Sequence, residues 1–372
     1  MISSLTHAAD VADSRPLVYA GFAFAGNYGN RDFLYPHSAA LLEKKPGFVD
    51  DLILEKLGSN PALHKRISLD IADIKQDVTS VACALVQENI EIQQIDGNYL
   101  VIVLMQANVL GFNRATNSIV ASHPLRMRFT RTRPAKPNQS ELQAIIHEAY
   151  TSTNPAENLL DQWLLKLAQA KFKTGATKYL RVTDVGLTQE AETNLQQAGV
   201  NPAAFKNKTA NLLEASLSDK SGVPIVPNAV GEAIGNKMAL RFASAEAFSI
   251  SLPEPDYSVS LLIRGFASAK TETANSLTDI YRAKATFSIK LPDTGKTYID
   301  EQIYDTLFVT RPKNSTLQLS TWEQYNKTIQ SLINSIGKQF VNPDDEWLKE
   351  HAARKIDAKP AFLLVKQLFQ EL

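Results

Sequence analysis

The hydrophobic period of this chain changes in the same order twice, and that recurrence restricts the fold more than any other feature. In the first half, Phe48, Val49, Leu52, Ile53 and Leu57 recur at helical spacing up to Gly58. Ile71, Ile74, Val78, Val81 and Leu85 follow at steps of three and four, which predicts a second helix over 69–88. The pattern then turns to β: Ile90 and Ile92, the turn Asp96-Gly97-Asn98, the β-branched run Tyr99 to Met105, a turn over 113–118 and a strand from Ile119 to Arg131. Ser140 with Gln143 makes a capping box for a helix carrying Leu142, Ile145 and Ile146, and Asn154-Pro155 opens the next, with Leu159, Leu160, Trp163 and Leu167.

The second half repeats this order: a helix over 229–243, strands over 246–252 and 257–264, and a long strand from Tyr281 to Leu291. Pro292-Asp293-Thr294-Gly295 turns that strand into Lys296 to Ile303. Ser320 and Glu323 cap a helix with Trp322, Tyr325, Ile329, Leu332 and Ile336 on one face, ending at Gly337. Matching Tyr99 to Tyr257 gives an α+β fold of two antiparallel-sheet-plus-helix modules, read as a diverged tandem duplication. The expected divisions are a first module over 1–173, an irregular connecting segment over 174–228 broken by glycines and prolines, a second module over 229–340 and C-terminal helices over 341–372.

Composition narrows the function. Lys+Arg and Asp+Glu are 39 each in 372 residues, so no whole-chain charge attracts nucleic acid or an anionic membrane. At 44% hydrophobic and 21% charged residues the chain can bury a core. The lone Cys83 excludes an intramolecular disulfide or a multi-cysteine metal site. The opening residues lack a basic, apolar leader pattern, and the longest apolar run, Leu100 to Met105, falls far short of the roughly 20 residues that span a bilayer. The expected setting is a soluble one, cytoplasmic by default, with the periplasm as the alternative if a leader has been removed.

Between Asp96 and Glu141 there is no acid, whereas Arg114, Arg126, Arg128, Arg131, Arg133 and Lys136 all fall there. On a strand, Arg126 and Arg128 oppose Leu125, Met127 and Phe129, so Arg126, Arg128, Arg131 and Arg133 are the candidates for an anionic partner. Edge-strand protection, or pairing with an acidic helix of the same chain, explains the same charges without a ligand. The glycine- and aromatic-rich stretch 21–35 offers Tyr28, Arg31 and Asp32 as ligand or interface candidates, although its spacing is not that of a phosphate loop and burial of the aromatics explains it too. Asp70, Asp73 and Asp77 share one helical face but read as a solvated border. The six histidines form no metal pair and no G-x-S-x-G elbow occurs, so the sequence implies no metal, no cofactor and no catalytic residue.

The second module's helix 229–243, Phe248-Ser-Ile-Ser-Leu252, Asp256-Tyr257-Ser-Val259 and the hairpin through Asp293-Thr-Gly295 resemble the α+β modules of bacterial envelope proteins, the TolB amino-terminal domain and the curli-secretion lipoprotein group. The resemblance covers residues 229–305 and implies a structural or assembly role with protein partners and no catalysis. Two departures stand beside it: the opening residues show no leader pattern, and Cys83 lies inside the predicted helix instead of at a lipidated terminus. Two alternatives remain open on the residues alone: a small-ligand binder or enzyme with its site between the modules, and a binder of an anionic polymer through the 114–136 hairpin.

Overall fold

The computed structural model describes residues 17–25, 31–69, 78–95, 97–172, 178–221, 225–228, 237–242, 247–315 and 320–371. The first module runs β1 (Leu17–Ala25), α1 (Arg31–Leu34), α2 (Pro36–Lys44), α3 (Phe48–Gly58), α4 (Pro61–His64), β2 (Ile67–Ser68), β3 (Thr79–Ile95), β4 (Asn98–Asn113), β5 (Ser118–Arg133), α5 (Gln139–Thr151) and α6 (Leu159–Gln169). The second runs β6 (Leu180–Leu187), α7 (Gln189–Gln197), α8 (Pro202–Ser221) and β7 (Ile225–Val226). It resumes after the hairpin of β8 (Lys237–Phe242) and β9 (Ala247–Ser251), with β10 (Tyr257–Glu272), β11 (Ser276–Leu291), β12 (Lys296–Pro312), α9 (Thr321–Val341), α10 (Asp345–His351) and α11 (Lys359–Glu371).

Both sheets follow one plan. Their orders are β2-β1-β3-β4-β5 and β7-β6-β10-β11-β12, each with its first strand flanked by two parallel neighbours and then an antiparallel meander. The α+β class therefore holds, with mixed rather than purely antiparallel sheets. On this plan β10 corresponds to β3 and β11 to β4, so Tyr257 matches the start of β3, and Tyr99, which opens β4, matches the start of β11. The stretch read as an irregular connector supplies β6, α7, α8 and β7 of the second sheet and its helical layer. The β8–β9 hairpin joins the first sheet instead, β9 to β5 at Ser118↔Ser251 and β8 to β1 at Ala23↔Phe242, which closes that sheet on itself.

The helix predicted over 69–88 is overturned: 79–95 is strand β3. Its register breaks between Leu85 and Gln87, so Val81, Cys83 and Leu85 face the core before the break and Glu88, Ile90 and Ile92 face it afterwards. Before that bulge both faces of the strand are buried, Val81, Cys83 and Leu85 in one core and Ala82 and Ala84 in another apolar cluster, so the run does not alternate, and Val81 and Leu85 stand four apart as on a helix. Residues 70–77, with Asp70, Asp73 and Asp77, lie outside the described residues. So does 229–236, and 237–242 of the predicted helix 229–243 is strand β8.

Helix starts obey capping chemistry, with one shift. Asn138 accepts from the Glu141 N–H at 3.0 Å while Glu141 accepts from the Asn138 N–H at 2.7 Å, so the box sits two residues before Ser140. An asparagine cap and a carboxylate at the third position suit the helix dipole better than the serine and glutamine. Ser320 caps α9 and Asp344 caps α10. Gly337 does not end α9, which continues to Val341; a Cβ there would fall on Ser216 of α8, so the glycine permits the helix crossing.

One core lies between the first sheet and α2, α3, α5 and α6, centred on Trp163, Phe22 and Phe129. A second lies between the other sheet and α7, α8, α9 and α11, centred on Phe287, Phe340 and Phe362. Helices α8 and α9 also meet the outer face of the first sheet: Gln106 donates to the Asn211 carbonyl at 2.7 Å and Arg126 to Asn334 at 2.9 Å. The molecule is thus stacked helices, sheet, helices, sheet.

Candidate functional site in the inter-module cleft

Register arithmetic builds the floor of the site. Gln87 pairs with Gln106 and Gln106 with Arg126; the next row on the same face is Asn89, Leu104 and Arg128, and the next is Glu91, Ile102 and Thr130. Because successive side chains alternate faces, these rows form three columns: amides and an acid on β3, aliphatics ending in Gln106 on β4, guanidinium groups on β5. Lys208 and Leu212 of α8, with Lys327, Gln330 and Asn334 of α9, make the opposite wall. The half-open cleft measures about 440 Å³, a size suited to a small molecule.

Among the described residues, the cations Arg126, Arg128, Lys208 and Lys327 and the carboxylate Glu91 line the cleft. Burial pushes the Lys208 ammonium's pKa down, and the facing Glu91 pulls it back up. Glu323, one turn before Lys327, has its pKa raised by burial; Lys327 opposes that rise and Glu91 adds to it. An amide network closes the inner end. Asn211 donates to Asn207 at 3.0 Å and to Gln87 at 3.3 Å, and accepts from Asn228 at 2.7 Å. Behind it, burial drives the Glu214 carboxyl up to about 8, against hydrogen bonds from the Asn228 side chain and backbone and the charge of Arg181.

The four arginines of the basic hairpin do not act together. Arg126 is half-buried in the cleft and Arg128 is exposed at its edge. Arg131 lies on the opposite face, over the Phe129 ring at 3.8 Å, bonded to Glu148 at 3.1 Å and Glu157 at 3.2 Å. Arg133 lies on that same face, at the end of β5 opposite Tyr99. Arg31 and Asp32 of α1 lie outside the cleft, with Arg31 near Glu43 at 3.5 Å. Tyr28 lies outside the described residues. Of the neighbouring aromatics, Tyr19, Phe22, Phe24 and Tyr35 are buried in the first core.

Sequence reasoning missed the α8 and α9 wall, because α8 is polar on the side that faces the first sheet and reads as irregular. It also missed a buried cluster. Glu88 accepts from the N–H groups of His37 and Ser38 at the start of α2 and from the Ser38 hydroxyl at 2.5 Å, and Ser38 Oγ lies 2.9 Å from the Tyr150 hydroxyl. Burial lifts Glu88 to about 7, the three donors holding it down. Ser38 and Tyr150 are 0% exposed, so this serine is shut away from any substrate and the cluster ties β3 to α2 and α5. Among the described residues no group of three or more His, Cys, Asp or Glu is placed to hold a metal. No helix among them is long and apolar enough to cross a membrane.

The solved structures similar to part of this chain include two bacterial proteins. One is a minor lipoprotein from Acinetobacter baumannii, 11% identical, covering 45% of this chain and 90% of its own, with a TM-score of 0.22. The other is a Xanthomonas campestris protein described by the family model DUF330, 10% identical, covering 45% and 82%, with a TM-score of 0.21. No protein-family model and no curated protein matches the chain. At these values neither neighbour lends this chain a function.

Proposed function

We propose that this protein is a non-catalytic binding protein whose two α+β modules, derived from one duplicated plan, hold a ligand in the cleft between them. The cleft lining carries the reading: guanidinium, ammonium and amide donors around an aliphatic strip, the chemistry of holding a ligand rather than of breaking a bond. The test is native mass spectrometry of the protein purified from its own cells, wild type beside Leu212→Trp. A chemically unaltered adduct on the wild type that the filled variant lacks is the expected result. An adduct that Leu212→Trp retains refutes the cleft as the site.

A second reading, assembly with a protein partner, is favoured by the tip of the β10–β12 meander. There Ala267 to Glu272 are exposed, and Phe308 stands 63% exposed beside Ile280 and Ala269. Asp279 beneath it is buried against Arg311 at 3.2 Å and Lys270 at 3.6 Å, which stiffens the tip. A photoreactive residue at 308 should crosslink to protein in cells where one at Lys284 does not; equal labelling at both positions refutes it. The setting in this reading is the bacterial cell envelope, resting on the resemblance of the second module's Asp256-Tyr257 strand and Asp293-Thr-Gly295 hairpin. Fractionation of the source cells tests that setting.

A further inference from the structure

We propose that the cleft takes a small amphipathic anion: a carboxylate, phosphate or sulfonate group carried on an aliphatic or aromatic body. This rests on the reading of the cleft as the binding site and adds the chemical class of its occupant. The head-group position is set by Arg126 and Arg128, two residues apart on one face of β5, with Lys327 of α9 opposite. Asn334 holds the Arg126 guanidinium at 2.9 Å, so that cation is fixed before a ligand arrives and little ordering remains to oppose binding. Forked guanidinium groups match the oxygens of an anion bidentately, which an ammonium alone does not.

The body's position follows from register. Leu104 lies directly across from Arg128, and Ile102 follows it along the same face, so an aliphatic strip runs beside the guanidinium column one strand spacing away, about 4.8 Å. Leu212 closes over that strip from α8. On the far side Glu91 offsets the charge of Lys208 at the β3 edge, while the guanidinium groups stand on β5. A long polyanion fits less well. It needs basic groups tracking a backbone, and here the row stops after Arg128, because Arg131 is turned away and bonded to Glu148 and Glu157.

The experiment titrates the full chain with 8-anilinonaphthalene-1-sulfonate, an anion on an aromatic body, and follows its fluorescence. Saturable single-site binding is expected, displaced by decanoate and by decyl phosphate but not by decyltrimethylammonium. Arg128→Gln combined with Lys327→Gln, both changes at the cleft rim, should weaken binding by about tenfold or more with an unchanged circular dichroism spectrum. Equal displacement by the cationic amphiphile, or unchanged affinity in the double variant, overturns the proposal. Leu212→Trp separates the two claims, with Gln330→Trp on the α9 wall as a second filling variant should the first not fold. If filling abolishes probe binding while charge makes no difference, the cleft stands as the site and the amphipathic anion falls. If filling leaves binding intact, both fall.

Discussion

Replacing Glu214 by glutamine should remove one buried group's contribution to the pH dependence of stability. Glu214 is 1% exposed on α8, and burial raises its pKa from the ordinary 4.5 to about 8 despite the Asn228 donors and Arg181. The folded chain therefore holds a proton that the unfolded chain releases above about pH 4.5. Its stabilising contribution is fully present below that pH and is lost as pH rises through 8. A gap of about 3.5 pH units at about 1.4 kcal/mol each amounts to about 5 kcal/mol in full, of which about 3 to 4 kcal/mol is lost between pH 5 and pH 8.

Glu214→Gln keeps the shape and has nothing to ionise. Urea unfolding of both proteins at pH 5 and pH 8, followed by tryptophan fluorescence, should show wild type losing about 3 to 4 kcal/mol relative to the variant over that span. Two other groups titrate nearby in pH. Glu88, raised to about 7 mainly by burial, loses stability in the same direction, while His123, lowered to about 4 mainly by burial, loses it as pH falls from 6.5. Both are present in both proteins, so they cancel in the difference. A gap between wild type and variant that is the same at pH 5 and pH 8 refutes the argument.

Two further outcomes test the fold. Val81→Asp should prevent folding, because Val81 is 0% exposed in the first core and an unpaired carboxylate there costs at least about 4 kcal/mol; soluble protein with a wild-type circular dichroism spectrum contradicts the β3 assignment. Gly337→Ala should lower the melting temperature, since the added Cβ falls on the backbone and hydroxyl of Ser216. Overpacking of about 1–3 kcal/mol then outweighs a helix-propensity gain of about 1 kcal/mol, and a higher melting temperature contradicts that close crossing.

Legibility in the sequence depended on whether one face of an element was apolar and the other polar. Helix α3, the capped α9 and the terminal α11 were readable because each buries a single stripe. The β4–β5 and β11–β12 hairpins were readable because turn residues sit between β-branched runs. Strand β3 was misread as helix because both faces of its first half are buried, Val81, Cys83 and Leu85 on one and Ala82 and Ala84 on the other, so no polar alternation marks it as a strand. Helix α8 was hidden for the opposite reason. It packs Ala210, Leu213 and Leu217 into the second core while Lys208 and Asn211 turn to the first sheet and Leu212 touches both the core and the cleft, so no single apolar face emerges from its sequence. Half of the candidate site was visible as Arg126 and Arg128 on one strand face. Its other wall was not, because the pairing of α8 and α9 with a sheet more than a hundred residues earlier is a long-range contact with no local signature.

The location of the cleft follows from that stacking. Helices α8 and α9 serve two sheets, and most of their apolar residues are taken by the second sheet, so what they offer the first is chiefly amides and lysines, with Leu212 beside them. The outer face of the first sheet answers in kind, with Gln87, Asn89, Gln106 and Arg126 where the opposite face carries Val103, Met105 and Phe129. An interface built from such groups is held by directional hydrogen bonds, Gln106 to Asn211 and Arg126 to Asn334, and directional bonds do not fill space as close-packed aliphatics do. Where the two surfaces diverge beyond those bonds, Leu104 and Ile102 are left beside the cations of β5 and α9. The same division of faces that joins the modules therefore also leaves an opening with a cationic side and an apolar floor.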